Sequence, residues 1–398
     1  MSKRTSRTLA AVVAAAAATA LTAGSAPAAA GPSLAEISIE APPTEPGTYS
    51  RELQVANGNG DSVSEVIVGD YAGGGPLRIS LMLWKTDWSM SGLDPLPGGG
   101  RAKATAINNN LTVVGTSRSQ TGEQHGLRWA SGSTPVELLP LPGDSEAAPA
   151  AVSEDGTAVG SSSDASSEHA VAWPPSGTPV ALPPLPGDTG SAAVAVNGAG
   201  TAVGHSYPAG GTASPRAVVW SPDGTVTALS LPAGLTRGGA TRITDSGIVI
   251  GWADASSGPR HGLVWDAFGA VADLGAHTEA TAVNTSGTVV GRQNGQAARW
   301  DADGTPRPLQ PTALASFATA INDQGTVVGY TSDPPPTRAQ FYAQLWNPDG
   351  SVSALPRWAP HIPYATPHYI SNSGLVSGQI LLRGMAQYGL PFSMRWKL

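Results

Sequence analysis

The chain contains no cysteine, and only 13% of its residues carry charge. Without thiols it forms neither a disulfide framework nor a thiolate metal site, and a lipidated cysteine anchor is excluded. Aromatics are sparse at 6%, with 4 Phe and 8 Tyr beside 11 Trp. Positive charge is in deficit: 22 Lys and Arg stand against 29 Asp and Glu, for a formal charge of −7. A chain of that sign repels phosphate backbones and anionic lipid, so neither nucleic acid nor a membrane surface is an expected partner. After residue 31 no apolar run is long enough to span a bilayer, and no stretch keeps a helical period. Also missing are a G-x-S-x-G elbow, H-E-x-x-H, a phosphate loop and a dinucleotide fingerprint placed between strand and helix. No cofactor and no metal is therefore expected. Acidic pairs are too sparse in the predicted inner strands to suggest glycoside hydrolysis by two carboxylates.

What is present begins with a leader. Lys3, Arg4 and Arg7 precede an apolar run from Leu9 to Leu21, and small residues around Ala26 to Ala30 fit a cleavage site. Residues 1–30 read as a Sec-type signal peptide, which predicts a secreted, extracellular protein and a mature domain of residues 31–398. Removing three basic residues takes the formal charge from −7 to −10.

Gly and Pro, 49 and 35 in number, recur at fixed places. Gly69, Gly115, Gly160, Gly204, Gly251, Gly291, Gly329 and Gly378 each read as the end of a short apolar strand. Each is followed by a tryptophan: Trp84, Trp129, Trp173, Trp220, Trp265, Trp300, Trp346 and Trp396. Subtraction of neighbouring Trp positions gives spacings of 45, 44, 47, 45, 35, 46 and 50. A period in that range marks an array of one supersecondary unit.

The stretch from Ala318 to Pro356 shows the unit. Two short β-branched runs flank Asn322-Asp323-Gln324-Gly325, a hairpin signal, and Ala343 to Trp346 supplies a third strand. Asn347-Pro348-Asp349-Gly350 turns the chain into a fourth, Ser351 to Leu355. Four antiparallel strands in one repeat are a β-propeller blade, so the fold class is all-β, a single propeller. The last unit stops after its third strand, while Ala35 to Glu40 alternates like a spare strand. An open edge is a liability, so eight blades are expected, with residues near 34–40 closing the ring. Unit one is the most degenerate, and seven blades plus an irregular segment is the alternative.

His125-Gly126-Leu127-Arg128-Trp129, His169-Ala170-Val171-Ala172-Trp173 and His261-Gly262-Leu263-Val264-Trp265 share a His four residues before Trp. With the Leu-Pro-Gly linkers and the Ala-Ile-Asn hairpin, this pattern resembles the bacterial extracellular HAF repeat over nearly the whole mature chain. Leu or Val replaces the family's Phe, and Arg216, Gln296, Tyr342 and Phe392 replace its His. The resemblance implies a secreted propeller-like array and brings no catalytic residue.

The eight repeated Trp read as wedges between blades, not as a site. The three equivalent His lie on different blades and cannot converge on one ion, so each is expected to hydrogen-bond within its own blade. The Asn- and Asp-containing turns lack the oxygen spacing of a calcium loop. Out-of-register aromatics are the better binding candidates: Trp88, Trp252, Trp358, Tyr71, Tyr207 and Tyr330. Trp252 and Tyr330 directly follow Gly251 and Gly329, which places them at the same end of two blades. Near the axis, Thr105, Thr241, Thr281 and Thr319 recur where the last unit has His368, and Arg242 and Tyr369 replace the usual Ala one position on. His368, Tyr369 and Arg242 are thus candidates for a polar site. The expected function is an extracellular binding module for a glycan or protein ligand, working as a monomer. A lyase or hydrolase with its site at the channel mouth, and a structural cell-surface array, are the alternatives.

Overall fold

The computed structural model describes residues 36–39, 49–68, 78–130, 132, 134–208, 214–255, 257–309, 315–333, 340–357, 364–382 and 390–398. The expected signal peptide, Gly69, Tyr71 and Trp358 lie outside the described residues. The described strands form eight four-stranded antiparallel sheets. They follow the chain as blades 1 to 8, spanning 49–93, 102–138, 146–182, 188–228, 237–276, 278–308, 315–354 and 365–397. Seven blades are complete in sequence order, and the eighth takes Glu36–Ile39 as its outermost strand, with Ile37 opposite Trp396. The first strands of neighbouring blades lie side by side around the axis, and blade 8 packs on blade 1. The expected eight-bladed closure by the N-terminal strand is what forms, and unit one is a full blade.

The repeated glycine does not end its strand as expected. The second strand of blade 7 runs Val327–Ser332, straight through Gly329. Opposite each such glycine the innermost strand carries a bulge, at Thr105, Ala150, Val194, Thr241, Thr281, Thr319 and His368 in blades 2 to 8. The bulge swings a carbonyl over the glycine: a Cβ on Gly329 would sit 1.9 Å from the Phe317 oxygen, so any side chain there collides with backbone. In blade 1 the corresponding rung is Ser64 opposite Leu53, ahead of a bulge at Gln54, so Gly69 is not the counterpart. The bulged threonines then tie blades together. Thr281 Oγ1 donates to Ala318 O at 2.8 Å, and Thr319 Oγ1 to Pro367 O at 2.7 Å, each in the next blade.

All eight repeated Trp are buried, none more than 2% exposed. They pack across blade boundaries: Trp129 clusters with Val55, Val63 and Leu83 of blade 1, and Trp220 with Val159, Ala170 and Leu182 of blade 3. The indole N–H of Trp129, Trp173, Trp220, Trp265 and Trp396 donates to a carbonyl of the preceding linker at 2.7–2.9 Å. Each of these five rings therefore removes a large apolar area from water while satisfying its one polar atom, whereas among the described residues the Trp84 and Trp346 indole nitrogens are buried without a partner.

An antiparallel blade places its first-to-second and third-to-fourth turns at one end, here the turn face. Its second-to-third loops and the links to the next blade lie at the other, the linker face. On the turn face an Asn follows the innermost strand in five blades, as Asn57, Asn108, Asn197, Asn284 and Asn322. Asn108 Oδ1 accepts the Thr112 N–H at 2.8 Å, closing its own turn, while Nδ2 donates to Ser153 O of blade 3 at 2.7 Å. The same reach to the following blade is made by Asn57, Asn197, Asn284 and Asn322 at 3.0–3.3 Å. One short residue type thus folds a turn and links two blades.

Candidate functional site

On the linker face, the residue after each strand-two glycine, or after Ser64 in blade 1, forms a rung with the residue two before the bulge. Going round the ring, these rungs are Glu52/Glu65, Lys103/Thr116, Ala148/Ser161, Ala192/His205, Gly239/Trp252, Glu279/Arg292, Phe317/Tyr330 and Thr366/Gln379. Where contacts across the seam exist, they run to the next blade: Glu65 pairs with Arg101, His205 lies on Gly239, and Arg292 covers Phe317. Trp252 and Tyr330 do occupy equivalent places, as their positions after glycine suggested. Their neighbours in the ring were not apparent from either residue alone.

Blades 4 to 7 fill this ring with planar side chains. The His205 and Tyr207 rings are parallel at 6.1 Å. A Cβ on Gly239 would lie 2.1 Å from His205 Nε2 and 3.2 Å from Trp252 Nε1, so only a glycine lets the imidazole and the indole meet there. The Arg260 guanidinium sits 4.0 Å above the Trp252 ring. One blade on, Arg292 lies 4.8 Å over Phe317 of blade 7 and donates to Glu279 at 3.0 Å. Phe317 stacks on Tyr330 at 4.9 Å, Tyr330 meets Phe341 edge-on at 5.3 Å, and Phe341 meets Tyr364 at 6.1 Å. Trp252, Tyr330, Phe317, Phe341 and Arg292 are all half-buried.

Burial governs the titration of this arc. It pushes the His205 imidazole below its ordinary value, so the ring is neutral and able both to donate and to accept. Among the described residues the buried His205 Nδ1 has no hydrogen-bond partner. Burial raises the Tyr330 phenol, with Arg292 opposing the shift and Glu279 adding to it. The Tyr207 phenol is pushed up to about 12 by burial and by the charge of Glu168.

The candidates nearest the axis have different uses. Arg242 and Tyr369 occupy the same position, one after the bulge, in blades 5 and 8. Arg242 Nε donates to Thr281 O at 2.8 Å and Tyr369 Oη to Gln54 O at 3.3 Å, each bracing the bulge carbonyl of the next blade. Burial raises the Tyr369 phenol against the opposing charge of Arg242. His368 fills the bulge position and hydrogen-bonds Thr366 Oγ1 through Nε2 at 3.1 Å. Burial lowers its pKa against the pull of Glu52. Among the described residues no hydrogen bond or ion pair joins His368, Arg242 and Tyr369 into one constellation.

Two of the repeat histidines face a carboxylate of their own blade, His125 with Glu137 at 2.6 Å and His261 with Asp273 at 2.9 Å, while His169 meets Asp144 of the linker entering its blade at 3.1 Å. Among the described residues no group of three or more His, Asp or Glu is placed to hold a metal ion. Trp88 lies instead on the turn face of blade 1, 45% exposed, with Arg395 at 5.1 Å beneath its ring.

No family model and no curated protein sequence matches the chain. Solved structures share the propeller fold at low identity. Puromycin hydrolase aligns with a TM-score of 0.48 and 14% identity over 84% of this chain, which spans 58% of that longer protein. The β-propeller domain of the Trilobed protease from Pyrococcus furiosus gives 0.48 and 9%, covering 88% of this chain and 93% of that one. Virginiamycin B lyase from Staphylococcus aureus gives 0.39 and 11%, covering 88% and 95%.

Proposed function

We propose that this chain is a secreted, non-catalytic propeller that binds a carbohydrate across the linker face, on the arc of blades 4 to 7. Secretion rests on the leader-like residues 1–30, and membership of the HAF-repeat family on the His-to-Trp motif; both belong to the proposal. The observation that carries it is the run Arg292–Phe317–Tyr330–Phe341, with Trp252 and Arg260 at the equivalent rung of blade 5. A pyranose presents an apolar C–H face ringed by hydroxyls. Half-buried aromatic planes match the face, and Glu279, Arg292 and a neutral His205 supply acceptors and donors for the hydroxyls. The uses of Arg242 and Tyr369, each bracing the next blade, and of His368, bonded within its own strand, also support binding over the extracellular-enzyme reading. A glycan array probed with the wild type and with Trp252→Ala/Tyr330→Ala tests the reading. At least about tenfold weaker binding is expected from the double variant, a loss of ~1.4 kcal/mol or more. Absence of any glycan ligand, or equal binding by the variant, would sink it.

A further inference from the structure

The residue before each repeated Trp points into the seam toward the following blade, and in two seams it is an arginine anchored there. Arg128 Nη1 donates to Pro174 O at 3.0 Å and Nη2 to Trp173 O, filling the seam between blades 2 and 3. Arg395 repeats this between blades 8 and 1, with Nη1 on Lys85 O at 2.9 Å and Nη2 on Trp84 O at 3.0 Å. Both carbonyls of each pair belong to the Trp and the residue after it. The second of them also accepts a turn N–H, from Gly177 and from Trp88 respectively. Along the ring this position reads Leu83, Arg128, Ala172, Val219, Val264, Arg299, Leu345 and Arg395, and Ala172 is the smallest.

The seam that follows Ala172, between blades 3 and 4, holds a cavity of about 530 Å³ on the turn face. Val159, Leu182 and Ala202 line it, Asp155 and Asp223 stand on its two sides, and Ser221 lines it as the residue after Trp220. Ser221 O accepts the Gly224 N–H, the same turn bond made at Pro174 and Lys85. The seam also lacks its turn-face tie. Ser153 replaces the blade-linking Asn, and its hydroxyl turns to Asp155 and to Thr157 O. Among the described residues no side chain of the 153–157 turn reaches the blade 4 turn. Where the Asn is missing elsewhere, Ser246 Oγ reaches Thr285 O at 3.4 Å or the Asn372 N–H reaches Gly58 O at 3.3 Å.

We infer that the seam between blades 3 and 4 is a docking slot for an arginine side chain presented by a partner polypeptide. The molecule contains the template for the occupant in Arg128 and Arg395. A guanidinium entering over Ala172 meets the Trp220 and Ser221 carbonyls in the geometry those two arginines already use, and two carboxylates balance its charge. Burial favours the neutral form of Asp155, but hydrogen bonds from Ser153 and Thr157 and the charge of Arg128 hold its carboxyl below the ordinary range. The Thr225 backbone N–H lowers Asp223 likewise. Net negative charge brings basic partners to this surface. Lysine fits less well, because its donors share one nitrogen and do not match two fixed carbonyls as the two Nη atoms of a planar fork do.

The test is a titration of the whole protein, followed by amide chemical shifts, with acetyl-Gly-Gly-Arg-Gly-Gly-amide and its lysine and citrulline versions. The arginine peptide is expected to shift the amides of Ala172 and Ser221, and the citrulline peptide to bind at least about tenfold more weakly. Ala172→Arg fills the slot from within and is expected to abolish binding while raising the melting temperature. Asp223→Asn, an exposed change that leaves the core intact, weakens binding several-fold. Equal binding of the arginine and citrulline peptides, or unchanged binding in both variants, would overturn the assignment. Free arginine binding as tightly as the peptide would overturn the polypeptide source.

Discussion

On the turn face, the hairpins joining first and second strands span 57–61, 108–112, 153–157, 197–201, 244–248, 284–288, 322–326 and 371–374, nearly one length throughout. The sequence between second and third strands varies far more, from two residues in blade 6, 294–295, to nine in blade 1, 69–77. The chemistry differs in the same way. The turn face repeats Asn, Ser or Thr at the close of the innermost strand; each closes its own turn, and the five Asn also tie the next blade. The linker-face rungs hold Glu, Thr, Ser, His, Trp, Arg, Tyr and Gln in turn, one kind per blade. A position whose residue builds the ring is fixed by geometry in every blade. A position with backbone satisfied and a side chain half in water is free to diversify, and the aromatic arc lies among such positions.

The comparison can be broken from its structural side first. Deleting residues 31–42 removes the strand that pairs with Met394 to Lys397 and exposes a long edge. Its melting temperature should fall by about 10 °C or more, or the cooperative transition should vanish in calorimetry; an unchanged transition would contradict the closure. Gly329→Ala should follow, costing about 3 kcal/mol or more in urea unfolding, because its Cβ meets a carbonyl 1.9 Å away and the strand must yield. Asn108→Ala should cost about 2 kcal/mol, since it strands the buried Thr112 N–H and removes the blade-linking bond to Ser153 O, which keeps only the Gly156 N–H.

A smaller effect is expected from pH. The folded pKa of His205 and of His368 lies below the ordinary imidazole value of ~6.5 that each regains on unfolding. As pH falls through 6.5 the unfolded chain takes up protons that the folded one refuses, so stability is full above that value and declines below it. Between pH 7 and 5, His205→Gln/His368→Gln should therefore show a shallower loss of stability than the wild type in urea titrations; parallel slopes would exclude these two residues as the source. The smallest stability effect belongs to Trp252→Ala. It removes the largest side chain of the arc, yet should cost about 1 kcal/mol or less because that ring is half in solvent. A cost exceeding that of Asn108→Ala would erase the division between the faces.

Blade number, closure and the hairpin turns were legible in the sequence because each is encoded locally, by turn residues and by alternation within one unit. The role of the recurring glycine was not, since it depends on which carbonyl the neighbouring strand swings over it, a matter of register and bulge. Trp252 and Tyr330 could be found from their place after glycine. His205 and Arg292 carry the same signal, and Glu279 and Phe317 emerge only once the rungs are known. Arg242 and Tyr369 broke the repeat as visibly as Trp252 did, yet they brace the next blade. A departure from pattern marks a position where something differs, and only its neighbours show whether that difference faces a ligand or the ring.

The most direct measurement sets the two faces against each other in one binding experiment. Glycan affinity is compared among the wild type, Trp252→Ala/Tyr330→Ala on the linker face and Asn109→Ala/Asp323→Ala on the turn face, with the melting temperature of each recorded. The expected result is at least about tenfold weaker binding for the linker-face variant alone. Loss of binding in the turn-face variant, with the linker-face variant binding like the wild type, would contradict the assignment of function to the variable face.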